Sequence, residues 1–421
     1  MSDRHLIEKV LCRASRRARV SPGEIIIVKV DTSIVHDLSC NTTGRMFDAE
    51  IGGKVYNPSR CAVVHDHIFS PPTVQKAEVV EFNREFSRRN NMRLFDCGAG
   101  NVHNVAMRAG FAPPGGVVVG SDSHSTVHGV SGCVAFWLGN YAFAGTVWQY
   151  GKTWMRVPEV ISVELVGEPK RGTTPRDIAL WVTAQIGEGN AKYAAVKFEG
   201  EYIESLSFWD RWLFPLIGVD IGAKCTYVEP DRETERAMTA LGVDGSLMER
   251  SDPKAKPSVR WRWDVSDVPP VVACPPSVGN VRPVSEVIGT PVQWCELGGH
   301  GGGRTEDIEQ AASILGDRER ADAVLFNIVP SARNIFSECL AKNLVEPLHR
   351  AGATWFPPSG GSNQDVNMGA MTKNETMIST QSRNFPGRNG SRDARMYLAS
   401  ALTVAATAAT GVITDPRDFL R

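Results

Sequence analysis

The stretch Glu24-Ile25-Ile26-Ile27-Val28-Lys29-Val30-Asp31 (EIIIVKVD) is β-branched and bounded by charge, and it reads as a strand. Toward the C-terminus the period changes: Thr73–Phe86 (TVQKAEVVEFNREF) sets apolar residues at 74, 77, 79, 80, 82 and 86, mostly along one stripe of a helix. Strand signals return at Val117–Gly120, behind Pro113-Pro114-Gly115-Gly116, and at Val160–Val166 (VISVELV), behind Val157-Pro158. Toward the N-terminus, Leu6, Ile7, Val10 and Leu11 form an amphipathic pattern. Strand alternating with helix predicts an α/β fold with largely parallel sheets, since parallel strands need crossovers and helices supply them.

The 421 residues leave room for two or three domains of roughly 150 residues each. The Pro- and charge-rich Ser251–Pro276 (SDPKAKPSVRWRWDVSDVPPVVACPP) has no sustained period and is the predicted linker, with the main boundary inside it. A second α/β block follows: apolar Ala323–Val329, helical Ile335–Leu344, a loop at Pro357–Ser362 and an alanine-rich helix over Ala394–Gly411. With 46 Lys+Arg against 47 Asp+Glu the net charge is −1, so no global field draws in nucleic acid or an acidic membrane. No window reaches the roughly 18 apolar residues of a membrane span, and no secretory leader pattern opens the chain. The expectation is a cytoplasmic protein with no membrane and no nucleic-acid partner. Nine scattered cysteines, without a Cys-x-x-Cys pair, make no disulfide framework in a chain this long.

Four clusters place His, Asp or Ser beside Gly or Pro, where loops on an α/β scaffold can aim side chains. They are Val35-His36-Asp37, Val64-His65-Asp66-His67, Gly98-Ala99-Gly100-Asn101-Val102-His103-Asn104 and Gly120-Ser121-Asp122-Ser123-His124. Any one of these histidines alone reads more readily as a hydrogen-bonded structural residue than as a functional one. Together, Asp beside His with Ser or a second His nearby is the parts list for proton transfer on a hydroxy acid. The Gly-x-Ser-x-Gly elbow of an acyl-transfer hydrolase is absent. Two further loops, Gly298-Gly299-His300-Gly301-Gly302-Gly303-Arg304 and Ser382-Arg383-Asn384-Phe385-Pro386-Gly387-Arg388, offer backbone N–H groups and arginine forks for carboxylates.

In this order, with Gly151-Lys152-Thr153-Trp154 and Asn280-Val281-Arg282-Pro283-Val284 between them, the motifs resemble the aconitase superfamily. The nearest likeness is to the large subunits of 3-isopropylmalate dehydratase and homoaconitase, and it covers nearly the whole chain. The resemblance implies a three-domain α/β/α core, here 1–155, 156–270 and 271–421, without the C-terminal swivel domain that a small partner subunit supplies in split relatives. It implies Asp66, His67, His103, Asp122, Ser123, His124 and Asp220 as catalytic groups. It also implies Arg383 and Arg388 as carboxylate-binding groups, with His36, His300, Ser359 and Ser362 contacting substrate.

Relatives hold a [4Fe–4S] cluster with three cysteines, and by motif match His300 stands at the first. Ser359 and Ser362, or Gly360 and Asn363 in the other register, stand at the other two. Because such clusters are held by thiolates, the expectation is an enzyme without the cluster and with no cofactor, a variant placing one zinc or iron on His300. Asp220 takes the place of a Glu, Leu216 of an Asn and Asn104 of a Gln, so the pocket is altered as well. The expected function is acid/base chemistry of lyase, isomerase or cyclase type on a small carboxylate-bearing substrate, in a specialised biosynthetic pathway. A catalytically silent large subunit that scaffolds a partner, and a mononuclear-metal hydro-lyase using His300, stand as alternatives.

Overall fold

A computed structural model describes residues 3–362 and 368–420. The first strands are β1 (Ile25–Lys29), β2 (Thr32–His36), β3 (Cys61–Val64), β4 (Arg93–Phe95), β5 (Val117–Gly120), β6 (Val134–Trp137) and β7 (Lys152–Arg156). The five between β1 and β7 form a parallel sheet of order β4-β3-β2-β5-β6. Its inner strands are buried along their whole length, as expected where helices cover both faces. The EIIIVKVD stretch is a strand, but it pairs antiparallel with β7 in a separate two-stranded ribbon, leaving Ile25 and Ile27 exposed on one face.

Next come β8 (Val160–Val166), β9 (Ala195–Glu199), β10 (Cys225–Val228) and β11 (Val259–Asp264), a parallel sheet of order β10-β9-β8-β11. The last seven are β12 (Val271–Ala273), β13 (Val281–Pro283), β14 (Trp294–Leu297), β15 (Leu325–Ile328), β16 (Thr354–Trp355), β17 (Thr376–Ser379) and β18 (Arg395–Leu398). Their order is β13-β12-β18-β17-β14-β15-β16, antiparallel only at β12. The α/β expectation with largely parallel sheets is met.

Two expectations are corrected. The predicted linker contains β11 and β12: alternation of Arg and Trp in VRWRWD is a strand period that the flanking prolines mask. Arg260 and Arg262 reach Glu164 on β8 at 3.5 and 3.2 Å, while Trp261 stacks on Trp263 at 5.9 Å. The predicted helix over Ala394–Gly411 begins only at Ala401, because Arg395–Leu398 supplies β18 beside β17.

One apolar cluster runs through all three large sheets, from Ile34 and Val118 through Val163 and Leu165 to Leu297 and Ile378. It fixes the loops at the carboxyl ends of β2, β3, β5, β14 and β17 relative to one another. That is the rim where open parallel sheets bind ligands. Among the described residues no helix is long and apolar enough to cross a membrane.

Candidate active site

On the first sheet, His36 ends β2, Asp66-His67 follows β3, and Asp122 follows β5. Residues Ser123–Ser131 form a long, tight 3₁₀ turn with Asp122 as its cap, accepting the His124 N–H at 2.7 Å. Such length is unusual for this helix type and often marks a functional segment. Two glycines permit it: a Cβ on Gly120 would lie 1.8 Å from Ser125 Oγ, and one on Gly129 would lie 1.7 Å from the Thr226 carbonyl oxygen.

His67 sits between two buried carboxylates. Its Nδ1 donates to Asp66 Oδ1 at 2.7 Å and lies 3.3 Å from Asp37 Oδ1. Asp37 Oδ2 also accepts the Ile68 N–H at 2.6 Å, and Asp66 Oδ2 accepts the Val102 N–H at 2.9 Å. Burial opposes charging His67, yet the Asp66 charge and the bonds to both carboxylates hold its pKa well above the ordinary value. Burial likewise opposes charging Asp37 and Asp66, but their histidine partners hold both well below the ordinary carboxylate range. His36 packs its ring 4.6 Å from that of His67 and shares a hydrogen bond of 2.8 Å between Nε2 and Ser39 Oγ.

Asp122 gathers imidazoles instead. Its Oδ1 lies 3.0 Å from His103 Nε2, 3.3 Å from His124 Nδ1 and 3.9 Å from His300 Nδ1. Burial pushes His124 down to about 3 and lowers His300, so these rings are neutral near pH 7. Against the cost of burial, the neighbouring His300 and the His103 and His124 bonds hold Asp122 well below the usual range. His300 joins the two groups, with Nε2 3.3 Å from Asp66 Oδ2. His124 Nε2 and His300 Nδ1 are buried with no hydrogen-bond partner among the described residues.

Arg383 and Arg388 face the same space. Arg383 Nε donates to Asp220 Oδ1 at 3.1 Å, and its side chain is 29% exposed, which marks the mouth. Burial raises Asp220 to about 6 even with Arg383 pulling it down. Arg388 is buried, its guanidinium lowered to about 10 by burial, with Asp122, Arg383 and Asp220 as its charged neighbours.

The loops from the third sheet are otherwise occupied. Gly360 N–H donates to the Asp66 carbonyl at 2.9 Å, which docks the 357–362 loop on the site. Ser359 Oγ accepts the Gly361 N–H, and Ser362 bonds Gln381 Nε2 at 2.7 Å. Gln381 also donates to Glu296 at 2.9 Å, a buried carboxyl that burial pushes upward in pKa. Asn363 lies outside the described residues. Ser123 is half-buried at the start of the 3₁₀ turn.

The structure thus brings His36, Asp66, His67, His103, Asp122, His124, His300, Arg383, Arg388 and Asp220 together, while Ser359 and Ser362 serve the loop network. Sequence reasoning placed Asp37 in a His-Asp cluster without giving it a role, and it missed Glu296, Gln381 and His128. Asp37 follows His36 as closely as Asp66 precedes His67, a signal available in the sequence; nothing local marks Glu296 or Gln381.

A family model, the aconitase family (aconitate hydratase), matches residues 8–296 and 280–411. The chain is 36% identical to the 3-isopropylmalate dehydratase large subunit 1 of Methanopyrus kandleri, over 99% of each chain. It is also 36% identical to a probable methanogen homoaconitase large subunit of Methanothermobacter thermautotrophicus, over 98% of this chain and 97% of that relative. Among solved structures, the crystal structure of Thermococcus kodakaraensis aconitase X (holo-form) overlaps with a TM-score of 0.49 and 13% identity, over 98% of this chain and 93% of that one.

These relatives correct the expectation of an enzyme with no cofactor or with a single zinc or iron on His300. Their names belong to the class for which the resemblance implies a [4Fe–4S] cluster, and the chain carries nine cysteines. The described residues, however, bring no three thiols together. All nine cysteines are free, and the one grouped with two other donor side chains is Cys97, beside His65 and Asp96. That donor set does not fit a cluster held by three thiolates.

Proposed function

The chain belongs to the aconitase family, and from that premise we propose that it is the large subunit of a hydro-lyase acting on a small hydroxy di- or tricarboxylate, 3-isopropylmalate being the first candidate. We take 1–155, 156–270 and 271–421 as its three domains and a small subunit carrying the swivel domain as its partner. The observation that carries the reading is the opposition of a cationic His67 to an Asp122 that lies beside the neutral His124 and His300 and two arginines.

Arg388 and Arg383 each take a substrate carboxylate through the guanidinium fork, Arg383 exchanging Asp220 for it. His124 Nε2 and His300 Nδ1, lacking partners, hold the substrate's remaining polar atoms. A base from the partner takes the proton from the carbon next to a carboxylate. The C–H electron pair becomes the double bond, the C–O bond breaks, and His67 gives its proton to the departing hydroxyl, which leaves as water. The proton taken by the partner's base returns to solvent and His67 takes one up again, its imidazolium favoured by Asp37 and Asp66.

One observation favours a second reading, a large subunit that scaffolds its partner without turnover: Ser362 is tied up in a buried network with Gln381 and Glu296 instead of facing a substrate. One experiment separates the two. The chain is co-purified with a family small subunit, and 3-isopropylmalate and a panel of hydroxy di- and tricarboxylates are followed by absorbance of the unsaturated product. Turnover that Arg383→Ala reduces by about 10- to 100-fold, the scale of a lost charged hydrogen bond, supports the proposal. No turnover across the panel, or an unaffected Arg383→Ala, overturns it.

A further inference from the structure

Behind the catalytic face lies a histidine that the proposed chemistry does not use. His128 is fully buried on the 3₁₀ turn, with Nε2 3.4 Å from His103 Nδ1, and His103 Nε2 is 3.0 Å from Asp122 Oδ1. Its Nδ1 meets no hydrogen-bond partner among the described residues, and its ring stands edge-on to Trp212 at 6.1 Å.

These contacts fix where the protons sit. Asp122 accepts, so His103 Nε2 carries a hydrogen. One proton must also lie between His103 Nδ1 and His128 Nε2. If His103 supplied it, neutral His128 would keep its own hydrogen on Nδ1, a buried donor with no acceptor among the described residues, which carries the full desolvation penalty of that N–H. If His128 supplies it, only a lone pair on Nδ1 goes unmatched, and a lone pair tolerates that better than an N–H does.

We infer that His128 is a positioning residue: its Nε2–H donates to His103 Nδ1, so His103 is held as the Nε2–H tautomer and donates to Asp122. The N–H groups then run one way, from His128 through His103 to the carboxylate. Asp122 keeps its full negative charge at one end of the site while His67 keeps its positive charge at the other. The functional part of this inference rests on the acid/base reading; the placement of the protons does not.

The test is ¹⁵N–¹H correlation of the full-length, histidine-labelled protein near neutral pH, with His103 assigned from the spectrum of His103→Gln. The expected wild-type pattern is His103 and His128 each protonated at Nε2 and bare at Nδ1. In His128→Gln the amide still donates, and His103 stays singly protonated. In His128→Glu the new side chain can only accept, so His103 gains a second proton at Nδ1. Turnover with the small subunit should fall by about 10- to 100-fold in the Glu variant, the scale of losing an outer hydrogen-bond partner, and only slightly in the Gln variant.

A doubly protonated His103 or an Nδ1–H His128 in the wild type overturns the inference, and so do Gln and Glu variants that leave the same His103 pattern. The wild-type spectrum decides even if the Glu variant does not fold. Expected spectra without turnover would sink the hydro-lyase reading and leave the proton placement standing.

Discussion

Two halves of one pocket use the same two residue types in opposite ratio. Around His67, two carboxylates serve one imidazole; around Asp122, one carboxylate serves His103, His124 and His300. Both halves are buried, so desolvation opposes charge in each, and the ratio decides the outcome. Two negative neighbours overcome burial and hold His67 cationic, whereas a carboxylate shared three ways leaves His124 and His300 neutral. His300 touches both halves, 3.3 Å from Asp66 and 3.9 Å from Asp122, so the acid end and the anionic end meet across one ring. Charge within this pocket is set by stoichiometry rather than by residue type.

The sharpest way to break the contrast is to make the ratios equal. Asp66→Asn leaves His67 with Asp37 alone and weakens a buried charged group that three donors share. The expected loss is about 3–5 kcal/mol of stability, read from denaturant midpoints, together with a lower His67 pKa by NMR. An unchanged His67 pKa would show that Asp37 suffices. Asp122→Asn should cost less stability than Asp66→Asn, because His124 and His300 are already neutral. It should nonetheless cost about 10²- to 10⁴-fold in turnover, with little change in KM.

Much of this was legible in the sequence, and the rest for stated reasons was not. Adjacency marked His36-Asp37 and Asp66-His67, and the Asp-Ser-His run marked Asp122, because neighbours in sequence at a strand end share the rim. The meeting of His300 with Asp66 spans 234 residues and depends on the packing of the first sheet against the third, which no local pattern reveals. His128 stayed hidden because it lies beyond the Asp122-Ser123-His124 cluster with no carboxylate beside it in sequence, and only the 3₁₀ winding brings it to His103. Strand β11 was lost because prolines on both sides suggested a linker, although the Arg–Trp alternation was in plain view.

The pH dependence of folding sharpens the comparison with the sign reversed in each half. Asp37, Asp66 and Asp122 have folded pKa values below their unfolded ones, so they stabilise above about pH 3.8 and lose this as pH falls below it. His67 is raised, so its contribution is complete below about 6.5 and is lost as pH climbs through its elevated pKa. His124, held down to about 3, works the other way: the unfolded chain takes up its proton near 6.5 and the folded chain does not. Stability should therefore begin to fall already below about pH 6.5, by up to about 1.4 kcal/mol per pH unit for each histidine so held. Asp220, raised to about 6, offsets one such group between about 6 and 3.8. Urea titrations of the wild type and His124→Gln across pH 4–7 check this. The variant should show the shallower slope, and identical slopes would place the neutral histidine elsewhere.

The smallest expected effect probes the edge of the His67 half. Ser39 Oγ shares a 2.8 Å hydrogen bond with His36 Nε2, and His36 in turn packs on the His67 ring at 4.6 Å and lies 3.6 Å from Asp37 through Nδ1. Ser39→Ala removes only the outermost of these contacts, from a partly solvated site, so the cost should be about 0.5–1.5 kcal/mol. If the two carboxylates alone set the charge of His67, its pKa should stay put in this variant while stability drops by that small amount. A clear fall in the His67 pKa would instead mean that His36 holds Asp37 in place, and that the ratio of two to one depends on a third residue keeping its members together.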